Sequence, residues 1–312
     1  MKGSNFDLET GLFRAWPKSI AAQELAEEPS LRSSEGSRPV QDAYSIAKVR
    51  LLSADQHLEL FGKVVVDEFV FPPATIARGV LEPSASAWWL LEPQIGPRRR
   101  VMRGWGDRWR MQEEIKKIPA EQMQEHAKER RDAIASGAEQ LELTVTRDPD
   151  GVPVRIQELE PPPPFTEATR RVFAQIKLVG TPLADLKGLE FLGEYFYRWL
   201  SSTAHGQLHG LMEEMKPIQL SPGDQGMRLT VAESSERAMG LRAIAAVFAY
   251  QEGFSRLAAL YGWPRTDWDA WVTESRRALV VVPRRAHRPP DRRDVAAIGH
   301  TPAVVAPEPP RA

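Results

Sequence analysis

Apolar side chains in the first third of the chain recur at intervals of three and four residues. Between residues 41 and 66 they include Ile46, Val49, Leu52 and Phe61. This spacing places them on one face of an α-helix and therefore predicts a helix over that range. Similar patterns predict three further helices: 74–91 with a kink at Pro83, a basic helix over 97–117, and a strongly charged helix over 119–136.

Helical spacing returns after four prolines at 161–164, which predict a stiff, extended spacer. A turn-forming segment, Ser-Pro-Gly-Asp at 221–224, separates two short apolar runs that we interpret as strands over 218–220 and 227–231. The apolar positions of the second half otherwise predict helices, over 165–178, 186–200, 208–215, 233–262 and 268–281.

The pattern changes its period between residues 141 and 157, where apolar and polar side chains alternate. Alternation is typical of strands with one buried face. The Pro-Asp-Gly sequence that ends at Gly151 supplies a fixed φ and a position for positive φ, as a tight turn requires. We therefore predict a β-hairpin whose apolar positions are Leu141, Leu143 and Val145, followed by Val152, Val154 and Ile156.

These elements predict a mainly α protein, a multi-helix bundle with one β-hairpin insertion at about 141–157. We expect the helical domain to span 41–282. Residues 1–40 are rich in serine, proline and charge, and we predict a disordered segment or linker, with a short amphipathic helix around 20–27. Residues 283–312 form a tail rich in proline and arginine, for which we also predict disorder.

Composition excludes several classes of function. The 41 basic and 42 acidic residues nearly cancel, so contact with nucleic acid depends on local clusters. The absence of cysteine excludes disulfides and thiolate metal sites, and it fits a reducing cytoplasm. We find no apolar segment typical of a signal peptide or membrane span, and we expect a cytoplasmic protein without membrane contact. Glycine-rich phosphate loops are also missing, so we expect no cofactor.

The segment from Arg198 to His205 is the candidate for catalytic chemistry. Histidine transfers protons near neutral pH, and arginine binds a phosphate and stabilises the charge that develops on it. This pair therefore suits the cleavage of RNA without a metal. On one unbroken helix the two residues would share a face about 10 Å apart along the axis. A helix break at residues 201–203, where Ser-Ser-Thr can act as caps, would bring them closer.

Arg198, six intervening residues and His205 resemble the motif of the HEPN superfamily. The Arg-x-x-x-Glu segment from Arg78 to Glu82 and the Ser-x-x-x-His segment from Ser201 to His205 are also similar to bacterial HEPN-like families. Members are helical bundles, many of them toxins, abortive-infection factors or RNA-processing nucleases, and they usually act as dimers. The resemblance implies a metal-independent ribonuclease of defence or toxin type, with RNA as substrate and a homodimer as the active form. Its implied catalytic residues are Arg198, His205 and Glu82, with Glu82 near His205.

The basic helix over 97–117 is a candidate surface for nucleic acid. Trp105 and Trp109 lie within it and would be available for stacking on bases. The alternative is a solvated helix face with both tryptophans turned inward. Under the first interpretation, the residues that bind RNA phosphates are Arg98, Arg99, Arg100 and Arg103.

Three alternatives remain for the residues of the proposed catalytic motif. His205, His209 and Glu213 share one helical face and could bind a metal ion. His205 could instead be buried and hydrogen-bonded. Arg198 could pair with Glu194, and Arg78 with Glu82, each at a spacing of four residues, as ordinary ion pairs on a helix surface. The last two alternatives predict a noncatalytic helical scaffold or protein-binding module.

Overall fold

In the computed structural model of the chain, most residues belong to α-helices. The structure describes residues 15–31, 38–66, 69–178, 188–212, 215–218, 229–232 and 235–285. The helices of the first half are α1 (Ile20–Glu27), α2 (Pro39–Val66), α3 (Pro72–Leu90), α4 (Gly96–Ile115) and α5 (Glu121–Gln140). Those of the second half are α6 (Phe165–Phe173), α7 (Leu189–Ala204), α8 (Leu208–Met212), α9 (Glu236–Tyr261) and α10 (Thr266–Arg285).

The mainly α bundle and its hairpin insertion are confirmed. Strands β1 (Val145–Arg147) and β2 (Pro153–Ile156) pair antiparallel, with Val145 opposite Ile156. Gly151 in the connecting turn has φ +79°, as the turn prediction requires. The strands are shorter than predicted because α5 continues to Gln140, which leaves Leu141 and Leu143 to pack into the core from the loop that follows.

A second pair of short strands, β3 (Met215–Ile218) and β4 (Leu229–Ala232), is antiparallel as well. Two strands were predicted in this part of the chain, over 218–220 and 227–231. The observed first strand ends where the predicted one begins. Residues 219–228, which include the predicted turn, lie outside the described part of the chain.

Helix α3 lies at the centre of the bundle and packs against α2, α6, α7 and α9. Small residues such as Ala74, Ala77 and Ala85 are fully buried on it and allow close approach of the neighbouring helices. Pro83 lies inside α3 without ending the helix, so the predicted helix over 74–91 is confirmed. Among the described residues, no helix is both long enough and apolar enough to cross a membrane.

Helix α1 belongs to the folded domain, which corrects the prediction that order begins near residue 41. Ala21 is fully buried, and the carboxylate of Glu24 accepts hydrogen bonds from Arg100 at 2.6 and 2.9 Å. The hydroxyl of Tyr44 also donates to Glu24, at 2.7 Å. The predicted helix over 20–27 is confirmed. Residues 1–14, 32–37 and 286–312, for which disorder was predicted, lie outside the described residues, whereas α10 continues to Arg285.

The position of α7 depends on a close approach to α6. A Cβ atom at Gly193 would lie 2.5 Å from the carbonyl oxygen of Thr169, closer than a real side chain can come. Glycine is therefore required where the two helices meet. On the other side, α7 packs against α3, so its C-terminal end lies next to the segment that begins at Arg78.

Candidate functional site

The candidate site begins where α7 ends. His205 caps this helix, and its backbone N–H donates to the carbonyl of Ser201 at 3.0 Å. Gly206 follows with φ +66°, the left-handed conformation that commonly terminates a helix. The helix therefore runs through Ser202 and Thr203, where a break was predicted. Their hydroxyls donate to a carbonyl of the preceding turn and do not cap a new helix.

His205 contacts Arg78, a residue of the central helix α3. Nη1 of Arg78 lies 2.8 Å from Nε2 of His205. A guanidinium carries only donors, so Nε2 of the histidine is the acceptor in this contact. Nε of the same arginine donates to the carboxylate of Glu82 at 2.6 Å, one helical turn further along α3. The guanidinium also lies over the ring of Tyr197, 5.9 Å from its centroid.

The Arg78–His205 contact is accessible to a ligand. His205 is exposed, and the side chains of Arg78 and Glu82 retain 21% and 23% of their accessible surface. The predicted alternative of a buried His205 is therefore wrong. The contact combines a proton carrier, a permanently charged donor and a carboxylate that orients the donor, which is suitable for binding an anionic group.

Arg198 is not part of this cluster. Its side chain is 68% exposed and forms an ion pair with Glu194, with a distance of 2.8 Å from Nη2 to Oε1. No hydrogen bond joins Arg198 to His205 within the described part of the chain. The predicted surface pair with Glu194 is thus present. The two motif residues share α7 and its cap, but the continuous helix keeps them apart.

The structure brings Glu82 and His205 together, through Arg78, a residue that sequence reasoning did not assign to the site. The signal in the sequence that pointed to Arg78 was its spacing of four residues from Glu82. That spacing indicated an ion pair, which the structure contains. The spacing could not show that a histidine 127 positions later in the chain contacts the same guanidinium.

The alternative metal site cannot be assembled from the described side chains. His205 is described, but the side chain of His209 and the whole of Glu213 lie outside the described residues. Among the residues that the structure describes, no group of three or more histidine, aspartate or glutamate side chains could hold a metal ion. Arg78, the described partner of His205, is a cation, and its charge disfavours the binding of a metal ion at His205.

Comparison with protein-family models, curated proteins and solved structures finds no match for this chain. The resemblance to the HEPN superfamily therefore rests on the motif residues alone. The geometry of Arg78, Glu82 and His205 and the surface around them are the features of the described structure that bear on function.

The basic helix α4 directs two of its predicted RNA-binding arginines into the protein. Arg100 retains 1% of its surface and pairs with Glu24, and it also donates to the carbonyl of Leu90. Arg103 retains 4% and pairs with Glu92 and Glu160. Arg100 and Arg103 therefore do not bind RNA phosphates in this structure, which corrects that prediction. Both guanidinium groups are buried, and carboxylates and backbone carbonyls of the protein already use their donors.

The two remaining arginines of the cluster are exposed but also engaged. Arg98 donates to the carbonyl of Leu141 at 3.0 Å, and Arg99 pairs with Glu160. Burial raises the pKa of Glu160, but the hydrogen bonds from Arg99 and Arg103 outweigh it and leave this pKa below its usual value. The cluster thus fastens α4 to its neighbours. Its tryptophans face inward, as the alternative interpretation of this helix predicted.

Proposed function

We propose that the protein is a metal-independent ribonuclease in which His205 transfers the proton and Arg78 binds the scissile phosphate. The observation that supports this proposal is the accessible contact between Nε2 of His205 and the guanidinium of Arg78, oriented by Glu82. It differs from the motif-based expectation in one residue, since Arg78 replaces Arg198 as the cation beside the histidine.

The reaction that suits these groups is an internal transesterification of RNA. His205 accepts the proton of the ribose 2′-hydroxyl, whose oxygen forms a bond to the adjacent phosphorus. The bond from phosphorus to the 5′-oxygen of the next nucleotide breaks, and that oxygen takes up a proton from water, which regains one from protonated His205. The products are a 2′,3′-cyclic phosphate and a free 5′-hydroxyl. No metal is needed, because Arg78 stabilises the negative charge that develops on the phosphate oxygens.

Substrate binding must release Nε2 of His205 from its contact with Arg78. A phosphate is a stronger acceptor for a guanidinium than a neutral imidazole, because it carries a full charge. When phosphate binds, Arg78 donates to it and the lone pair of Nε2 becomes free to accept a proton. Glu82 holds Arg78 through its Nε atom during this exchange and is thus a positioning residue, although the resemblance implied a catalytic role.

Cleavage assays on the full chain test this proposal. Single-stranded RNA, double-stranded RNA and tRNA are incubated with the wild type and with His205→Ala, with and without EDTA. We expect His205→Ala to lower the cleavage rate by about 10²–10⁴-fold, the usual contribution of a general base. EDTA should have no effect. The melting temperature should stay nearly constant, because His205 is exposed.

Two results would contradict the proposal. Cleavage that EDTA abolishes would support a metal site that includes His205, His209 and Glu213. A wild type that cleaves none of the three substrates would leave no activity to explain. Because the resemblance also implies a homodimer, the mass of the protein in solution is measured in the buffer of the cleavage assay.

The second candidate function is a noncatalytic helical scaffold that binds another protein or a second copy of itself. The observation that favours it is a set of exposed apolar side chains on α7 and α8. Phe191 and Tyr195 lie four residues apart on α7 and retain 65% and 44% of their surface, and Leu208 on α8 retains 70%. Exposed apolar side chains on one helix face are typical of protein-binding surfaces. A wild type without nuclease activity whose self-association is lost in Phe191→Ser would support this function.

A further inference from the structure

A cavity of about 280 Å³ lies between the second half of α9 and the first half of α10. Sites for drug-sized ligands have volumes of roughly 300–1,000 Å³, so this cavity suits a smaller molecule. None of the residues of the proposed nuclease site lines it, because those residues lie on α3 and at the end of α7. What this cavity binds is therefore a separate question from what His205 does.

The charged side chains that line the cavity leave one positive charge without a partner. Arg265 pairs with Asp269 at 2.8 Å, and Arg276 pairs with Glu252 at 2.7 Å. The third arginine of the lining, Arg256, forms no ion pair with any residue that the structure describes. The cavity thus carries a net positive charge, which lies on Arg256 and favours an anionic ligand.

Arg256 lies in a setting that removes part of its hydration. Its guanidinium lies over the ring of Trp88, 3.4 Å from the centroid, and Nη1 donates to the backbone carbonyl of the same residue at 2.9 Å. Burial lowers the pKa of Arg256 to about 10, although Glu92 and Glu252 act in the opposite direction. The group still carries its charge at neutral pH. A partly desolvated charge without a counterion is costly, and a bound anion would compensate it.

The free edge of the Arg256 guanidinium has the geometry of a carboxylate site. Its Nε and Nη2 atoms donate to no described residue, and neither is among the buried nitrogens that lack a partner, so both retain accessible surface. Two N–H groups on one edge of a guanidinium match the two oxygens of a carboxylate. Elsewhere in this protein, Arg100 binds the carboxylate of Glu24 through the same two atoms, at 2.6 and 2.9 Å.

We propose that this cavity binds a small organic carboxylate, with its oxygens at Nε and Nη2 of Arg256 and its apolar part against the neighbouring walls. These walls are formed by Ile20, Pro93, Ala259, Leu260 and Val272. Apolar walls around a few polar groups are typical of small-molecule sites. An inorganic anion lacks the apolar part and an alcohol lacks the charge, so both should bind more weakly. The proposal does not depend on nuclease activity.

Calorimetric titration of the full chain tests the site. The probes are acetate, butyrate and benzoate, with inorganic phosphate and butanol as comparisons. We expect saturable binding of butyrate or benzoate, tighter than that of acetate, phosphate or butanol. Arg256→Gln should weaken this binding by about tenfold or more, the effect of losing charge-assisted hydrogen bonds. Arg277→Gln, at an exposed arginine of α10 outside the cavity, is the matched control and should bind normally.

A second variant keeps the proposal testable if Arg256→Gln does not fold. Ala259→Phe places a ring in the cavity and leaves the charge of Arg256 intact, and it should fold because Ala259 is exposed. It should also abolish binding. Unchanged affinity in either variant would overturn the proposal, as would phosphate or butanol binding as tightly as butyrate and benzoate. The absence of saturable binding by all three carboxylates would overturn it too. Binding should persist in His205→Ala, which distinguishes this site from the nuclease site.

Discussion

Nη1 of Arg78 and Nε2 of His205 lie 2.8 Å apart, although 127 positions separate these residues in the chain. The contact joins the centre of the bundle, helix α3, to the C-terminal cap of α7. Glu82 orients the arginine, and the ring of Tyr197 lies beneath it. The proposed ribonuclease therefore needs Arg78 for activity. Variants at Arg78 and at the motif residue Arg198 can be compared directly to test this.

Exchange of each arginine for glutamine distinguishes the two possible sites. Arg78→Gln should lower the rate of RNA cleavage by about 10²-fold or more, because a charged donor to the developing phosphate charge is lost. Arg198→Gln should change the rate little, because its guanidinium pairs with Glu194 on the exposed face of α7. Initial rates on the best RNA substrate provide the measurement.

Arg78→Lys and thermal unfolding serve as controls for this comparison. Lysine keeps the charge but not the forked geometry, so it should restore part of the activity. Melting temperatures show whether a loss of activity reflects a loss of structure. Greater loss of activity in Arg198→Gln than in Arg78→Gln would favour the motif-based site and contradict the one proposed here.

The buried pair between Glu24 and Arg100 should be a major determinant of stability. Glu24→Gln removes the charge that compensates Arg100, of which 1% is exposed, and should lower the free energy of unfolding by about 3–5 kcal/mol. Urea denaturation measures this change. The control is Glu139→Gln, whose partner Arg147 is partly exposed and which should cost less than about 1 kcal/mol. Similar losses of unfolding free energy in both variants would contradict the claim that a buried ion pair contributes more to stability than an exposed one.

Glu160 should contribute to stability above its unfolded pKa and lose that contribution in acid. Its folded pKa is lowered, so the unfolded state binds more protons as the pH falls. The contribution is present above about pH 4.3, the ordinary pKa of glutamate, and disappears as the pH falls through the lower folded value. Melting temperatures of the wild type and Glu160→Gln should therefore differ near neutral pH and converge in strong acid. A constant difference at all pH values would contradict this assignment.

Two glycine-to-alanine exchanges should have opposite effects on stability. Gly193→Ala should destabilise the protein by about 1–3 kcal/mol, because the new Cβ would meet the Thr169 carbonyl and force α7 away from α6. Gly62→Ala in α2 should stabilise it by about 0.4–1 kcal/mol, since nothing lies within 4 Å and alanine favours the helix. Thermal unfolding of both variants provides the measurement, and a neutral Gly193→Ala would show that the helix contact is adaptable.

Local pattern was sufficient to predict most elements of the described fold. The spacing of apolar residues indicated the helix from Pro39 to Val66, and the Pro-Asp-Gly turn indicated the positive φ of Gly151. Both signals depend on interactions between residues a few positions apart, which a sequence displays directly. The prediction that order begins near residue 41 was wrong. Helix α1 is part of the fold because its Glu24 pairs with Arg100, a residue far away in the chain.

The candidate site could not be predicted from local pattern, because it also depends on a contact between residues far apart in the chain. The sequence by itself determined that Arg78 and Glu82 could pair within one helix, and that Arg198 and Glu194 could do the same. Which arginine contacts His205 was decided by the packing of α7 against α3, which involves residues far apart in the chain. Burial determined that arginines of the basic helix pair within the protein. A sequence shows that Arg100 is charged but not that its partner Glu24 lies in the core.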